Sequence, residues 1–185
     1  MAAHEIAAAF ERVASVLRRR PEAGIGDDTP ARAEWAGGTR VITHDGHGQG
    51  LVVTDLPTEL GGQGEAPSAV WLLRAALASC VATRVLMEAA LQGIELRTLD
   101  VQAGSRSDAR GLLGLPDDQG RPVPAGPAQL SLQVRLGADG VAAERLQALV
   151  ASAARASPVA ATLHAQLPLL LQVVVEPPGP AVTET

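Results

Sequence analysis

An α+β domain, with two long helices laid against one face of antiparallel strands, is what this sequence predicts, and three stretches predict it. Between Ser68 and Gly93, Ala, Leu and Val run on without a helix breaker, Ser68 offering an N-cap and Gly93 a stop. Leu130, Leu132, Val134 and Leu136 alternate with Ser131, Gln133 and Arg135, the cleanest strand signal in the chain. After them Asp139 is placed to cap a second long helix running to about Ala156, with Val141, Leu146, Leu149 and Val150 inward.

The remaining elements follow in order. Ile6, Phe10, Val13 and Leu17 recur at helical spacing, so residues 1–24 read as an N-terminal helical extension closed by Pro21 and Gly24. A polar linker leads to Ala31–Trp35, where small and apolar residues alternate with Arg32 and Glu34; Gly37 and Gly38 mark a turn. Arg40–His44 and Leu51–Thr54 complete a three-stranded meander. The long helix leads directly into a strand over Leu96–Ala103, with Leu99, Val101 and Ala103 on one face. Ser105–Pro127 holds four prolines and four glycines and reads as a surface excursion, partly a hairpin extension. Leu169–Glu176 is the last strand, and residues 177–185, PPGPAVTET, read as a disordered tail. Strands adjacent in sequence pair antiparallel, which makes residues 25–176 one domain.

Composition narrows the function. The formal net charge of -5 gives nucleic acid no footing, and Arg18, Arg19 and Arg20 are placed to complement a helix C-terminus. One cysteine in 185 residues excludes an intrachain disulfide and fits a reducing, cytoplasmic setting. The start carries His4, Glu5 and Glu11 without a continuous apolar run, unlike a secretory signal, and no stretch reads as a membrane span free of charge or breaker. With 2% aromatic residues and no tyrosine, Ala, Leu and Val must fill the core, and platforms for stacking bases or flat cofactors are scarce.

The single cysteine, Cys80, lies on the long helix, on a face expected to be core: Leu73, Ala76, Leu77, Cys80, Met87 and Leu91. An apolar-face cysteine is commonly just a small buried hydrophobe. Arg84, four residues on, argues for chemistry, because a guanidinium one turn away favours thiolate; Glu88, a further turn on, competes for it.

GGTR (37–40), LPTELGG (56–62), a proline, LASC (77–80) on a long helix and SPVAATL (157–163), in that order and spacing over roughly residues 30–176, resemble the OsmC/Ohr family of thiol-dependent peroxidases acting on organic hydroperoxides. The resemblance implies an intertwined homodimer: the sheets of two chains interlock, the long helices pack centrally, and active sites form at the interface. It implies Cys80 as peroxidatic cysteine and Arg40 as its arginine, with Thr39 there instead if the alignment slips by one. Arg84 remains the other candidate cation, from helix spacing. The family's glutamate falls near Val70 and Trp71, so Glu59 and Glu65 are the nearest acids; the resolving cysteine falls on Ser157. A serine cannot form the disulfide, so a retained cycle would use one cysteine, an external thiol reductant and no cofactor. Set against this is a dimeric protein that binds an apolar small molecule, without catalysis, in an interface pocket lined by Trp71, Leu72 and Cys80. Ser157 is also a candidate for contact with substrate.

Three weaker signals read as scaffold. His44, Asp45 and His47 form a solvated turn better than a metal site. Ser157 and His164 lack a nucleophile elbow, and Gly61, Gly62 and Gly64 lack a phosphate-binding spacing.

Overall fold

The computed structural model describes residues 3–45 and 47–165. The strand expected over Leu169–Glu176 and the proline-rich tail lie outside the described residues. Helix α1 spans Ala3–Arg19, and a 3-10 turn over Pro21–Gly24 closes it. Its basic end is used as the helix dipole favours: Arg19 Nε donates to the Ser15 carbonyl at 3.2 Å, while Arg18 Nη1 bridges back to Glu11 at 2.6 Å.

Among the described residues two separate antiparallel sheets form. In the first, β1 (Ala31–Trp35), β2 (Val41–Asp45) and β3 (Val52–Thr54) make a meander in the order β1-β2-β3, with Ala31 opposite Asp45 and Val41 opposite Thr54. Gly37 at φ 94 and Gly38 at φ 56 supply the left-handed turn, where the Trp35 indole donates to the Gly38 carbonyl at 3.0 Å. The second sheet pairs β4 (Thr98–Arg106) with β5 (Gln129–Gly137) along their full nine-residue lengths. β4 starts two residues later and runs three further than its apolar alternation indicates, because β5 partners it to Arg106. The intervening excursion contains a short helix, α3 (Ala109–Leu112), and a bridge between Pro116 and Pro122.

Helix α2 (Ala69–Leu91) is the centre. Ser68 Oγ accepts from the Trp71 N–H at 3.3 Å, and Gly93, at φ 65, follows the helix end. By length and composition alone α2 is apolar enough to cross a membrane. It carries Arg74, Arg84 and Glu88, however, and packs against β4, α1, α4 and α5. The buried stripe is Leu77, Val81, Val85 and Ala89, a strict four-residue spacing. This corrects the expected core face: of its members only Leu77 is buried, Ala76 and Leu91 are exposed, and Leu73, Cys80 and Met87 are half-buried. In so uniformly apolar a helix periodicity cannot choose a face, and the neighbours do.

Helix α4 (Ala143–Arg155) supplies Leu146, Leu149 and Ala153 to the same core, with Leu99, Val101 and Ala103 of β4 packed on it. Asp139 does not cap it. Gly140 at φ 72 interrupts the chain, the N-cap is Ala142 without a side-chain bond, and Asp139 instead pairs with Arg97 at 3.3 Å. A further helix, α5 (Pro158–Ala165), follows α4 after two residues, Ala156 and Ser157.

Leu149 is 1% exposed at the centre of this packing. Leu149→Ala should therefore lower unfolding stability by about 2–5 kcal/mol, read from urea midpoints. A loss below half of the lower figure would mean that the α2–α4 contact is not the core.

Candidate active site

Cys80 sits midway along α2, half-buried, and faces the junction between α4 and α5. Ser157 occupies that junction and is fully buried. Its hydroxyl donates to Cys80 Sγ at 3.1 Å and accepts from the Ala160 N–H at 3.4 Å, while its carbonyl accepts from Ala161 N–H at 2.9 Å. Ser157 is thus the N-cap of α5, with Pro158 in the first helical position. The sulfur therefore receives a hydroxyl proton from a residue that stands at the positive end of a helix dipole. Two residues 77 apart in sequence meet because α2 and α4 run antiparallel.

The arginines are placed differently. Arg84, one turn after Cys80, has a side chain only 17% exposed; Nη2 lies 3.9 Å from Glu88 Oε2 and Nη1 3.9 Å from Met87 Sδ. Its Nε is buried with no hydrogen-bond partner. Arg40 lies at the start of β2 in the meander, its side chain 42% exposed, and reaches Glu65 at 3.4 Å. Within the described chain Arg40 and Cys80 belong to different parts of the fold. Glu59 stays at the surface beside Thr58, with an oxygen 3.3 Å from its hydroxyl.

One residue had no place among the sequence candidates. Asp55, 5% exposed, ties the GGTR turn to the LPTELGG loop: Thr39 Oγ1 donates to Oδ1, as does Leu56 N–H at 2.8 Å, and Gln63 N–H donates to Oδ2 at 3.0 Å. These donors, the Thr39 hydroxyl foremost, together with the nearby Arg40 charge, hold the Asp55 carboxyl below its ordinary range against the opposing effect of burial. The loop is tight enough that a Cβ on Gly62 would stand 1.8 Å from the Leu56 carbonyl oxygen. The available signal was an aspartate directly before a glycine-rich loop, a residue suited to collecting loop N–H groups.

A hollow of about 240 Å³ is lined by Leu77, Leu130, Leu132, Ala160 and Leu163 with Ser131 and His164; Cys80 is not in its lining. Leu77 lies one turn before Cys80, and Ala160 is the residue bonded to Ser157. Trp71 is 48% exposed and Leu72 half-buried at the start of α2. Asp45 closes its turn by accepting from the N–H groups of His47 and Gln49, and among the described residues no three His, Cys, Asp and Glu side chains are grouped to hold a metal ion.

A family model described as OsmC-like protein matches residues 62–171. No curated protein matches the chain. Among solved structures, an organic hydroperoxide resistance protein OsmC from Legionella pneumophila aligns at 22% identity over 75% of this chain and 90% of its own, with a TM-score of 0.55. An OsmC like protein from Mycoplasma pneumoniae gives a TM-score of 0.61 at 12% identity, covering 76% and 89%. An organic hydroperoxide resistance protein from Elizabethkingia anophelis, with thiocyanate bound, gives 0.54 at 18%, covering 75% and 90%. At these identities the likeness is one of fold.

The carboxylate of Asp55 generates a pH prediction. Its folded value is lowered, so its contribution is complete above the unfolded value of about 3.9 and is lost as pH falls through the folded value. Asp55→Asn should be less stable than the parent at pH 7, and the gap between their urea midpoints should close as pH falls below about 4. A gap constant from pH 7 to pH 2 would sink this account of the loop.

Proposed function

The chain belongs to the OsmC-like protein family, and from that premise we propose that it reduces organic hydroperoxides through Cys80 by a one-cysteine cycle. The observation that carries this is the 3.1 Å contact between Cys80 Sγ and the hydroxyl of buried Ser157. The Cys80 thiolate attacks the terminal peroxide oxygen and the O–O bond breaks. The alkoxide takes a proton and leaves as an alcohol, and sulfur, oxidised by two electrons, becomes a sulfenic acid. Ser157 stands in the resolving position yet holds no thiol. Two external thiols therefore complete the cycle, yielding their own disulfide, water and the restored cysteine. The hydroxyl that donates to the thiolate also donates to the sulfenate, so the same contact serves both states. The hollow lined by Leu77, Leu130, Leu132 and Leu163, reached from the site through Leu77 and Ala160, has the aliphatic walls that the alkyl part of a hydroperoxide needs. Arg40 and Arg84 are the candidate cations. No cofactor enters, and the setting is the reducing cytoplasm.

The working unit in this reading is a homodimer. Among the described residues the meander joins no other sheet, β1 is exposed along its whole length, and Trp35 is 77% exposed. Along α2, Val70, Trp71, Leu86 and Leu91 are each 39–48% exposed. A second copy would cover these surfaces, and with them the thiol's open side, where Trp71 and Leu72 would contact substrate.

Two experiments follow. One equivalent of alkyl hydroperoxide without reductant should add one oxygen to the mass, trappable as sulfenic acid, and Cys80→Ser should abolish it. In Ser157→Cys the intermediate should divert to a disulfide with Cys80, since 3.1 Å must close only to about 2.05 Å. An unchanged parent mass and no disulfide in the variant would favour the non-catalytic protein that binds an apolar small molecule. For the dimer, light scattering at micromolar concentration should give twice the chain mass, and the thermal midpoint should fall on dilution; a monomer with a dilution-independent midpoint would refute it.

A further inference from the structure

Met87 lies one turn after Arg84 on α2, and Nη1 of that arginine donates toward its Sδ across 3.9 Å. We propose that Met87 is a further oxidation site of this chain, a thioether that an organic hydroperoxide converts to methionine sulfoxide under guidance from the Arg84 guanidinium. The step is separate from the cycle proposed for Cys80 and holds whether or not that thiol turns over.

Three observations carry it. The first is the length of the contact. A thioether is a weak acceptor, and at 3.9 Å it barely holds the guanidinium. An N–H···O bond of about 2.9 Å, bent at an oxygen one bond length from sulfur, spans nearly the same distance, so a sulfoxide oxygen fits between Nη1 and Sδ with little movement of either side chain. The second is the state of the arginine. Its side chain is 17% exposed, its pair with Glu88 Oε2 is also 3.9 Å long, and its Nε is the one buried side-chain nitrogen or oxygen among the described residues without a hydrogen-bond partner. A sulfoxide oxygen accepts far better than a thioether and would give this sheltered guanidinium what neither neighbour gives it. The third is access: Met87 is half-buried, and Thr83 and Leu91, one turn to either side of it on α2, are exposed.

The chemistry balances within these groups. A lone pair of Met87 Sδ attacks the terminal peroxide oxygen, the S–O bond forms as the O–O bond breaks, and the proton of that oxygen passes to the departing alkoxide, which leaves as an alcohol. Sulfur is oxidised by two electrons and the peroxide is reduced by two. The Arg84 N–H groups donate to the oxygen as negative charge gathers on it, and they keep their own protons. Because the guanidinium stands to one side of the sulfur, it serves one of the two lone pairs, and one sulfoxide epimer should form in excess. A methionine sulfoxide reductase specific for that epimer reverses the step.

The test is excess tert-butyl hydroperoxide on the full-length protein, with the added oxygen localised to Met87 by fragment-ion mass spectrometry, because Met1 is also a thioether. Shelter alone makes a half-buried methionine slower to oxidise than the same residue in the urea-unfolded chain. Guidance by Arg84 predicts the reverse: a rate at least about threefold higher in the folded protein, as a placed donor supplies. Epimer-specific reductases should find one epimer dominant in the folded protein and the two nearly equal in the unfolded chain. Arg84→Leu should drop the folded rate below the unfolded one and even out the epimers. In Cys80→Ser, Met87 should still be oxidised. A folded rate at or below the unfolded rate, an unchanged rate in Arg84→Leu, or loss of Met87 oxidation in Cys80→Ser would each overturn the proposal. Should Arg84→Leu fail to fold, the folded-to-unfolded comparison and the epimer ratio of the parent decide alone. Sulfenic acid at Cys80 without oxygen at Met87 would leave the peroxidase reading in place and remove this one. Oxygen at Met87 without sulfenic acid would do the reverse.

Discussion

The antiparallel contact between α2 and α4 is what the rest of the molecule depends on. Val81 and Val85 on one helix and Leu149 and Ala153 on the other are at most 1% exposed. In a chain with one phenylalanine and no tyrosine, small aliphatic side chains must interdigitate closely to make a core at all. That closeness fixes a register. Ser157 meets Cys80, and twelve residues further along α2 Gln92 meets Arg145, twelve residues back from Ser157. Equal steps on both helices mean that they run side by side over about 18 Å at a helical rise of 1.5 Å. The meeting of thiol and hydroxyl is one rung of that ladder.

What could be read from the residues follows from which of them carried a period. Strand alternation in Leu130–Leu136 and caps at Ser68 and Gly93 located β5 and α2, because local geometry and burial agree there. The face of α2 was not legible, since Val, Leu and Ala surround it on every side and only tertiary neighbours choose Val81 and Val85 over Leu73 and Leu91. Asp139 had the chemistry of an N-cap, but Gly140 in a left-handed conformation displaced the helix start by three residues. Helix α5 had a signal that went unused: Ser157 and Pro158 are an N-cap and first-turn pair. Around the site, order and spacing indicated Cys80 and Ser157 together, whereas Asp55 was silent because its partners are mostly backbone N–H groups.

The chain belongs to the OsmC-like protein family and holds one cysteine, and the one-cysteine cycle is the proposal built on those two facts. In that proposal Ser157 keeps a hydrogen-bond donor and the helix cap but lacks the sulfur that a disulfide would need. The substitution is conservative for the fold and radical for the cycle. Val70 and Trp71 add apolar surface to the first turn of α2, where Trp71 is 48% exposed.

The 77 residues between Cys80 and Ser157 also bear on the protein's biosynthesis. A ribosome adding about 5–20 residues per second completes α2 roughly 3–13 seconds before α4 is finished. Throughout that interval α2 has α1 and then β4 to pack against but lacks α4 and α5, and its thiol lacks the Ser157 hydroxyl. Newly made chains are thus more open to misassembly and to chance oxidation than finished ones. The risk falls as α4 docks, late in translation, with the same contact that assembles the site.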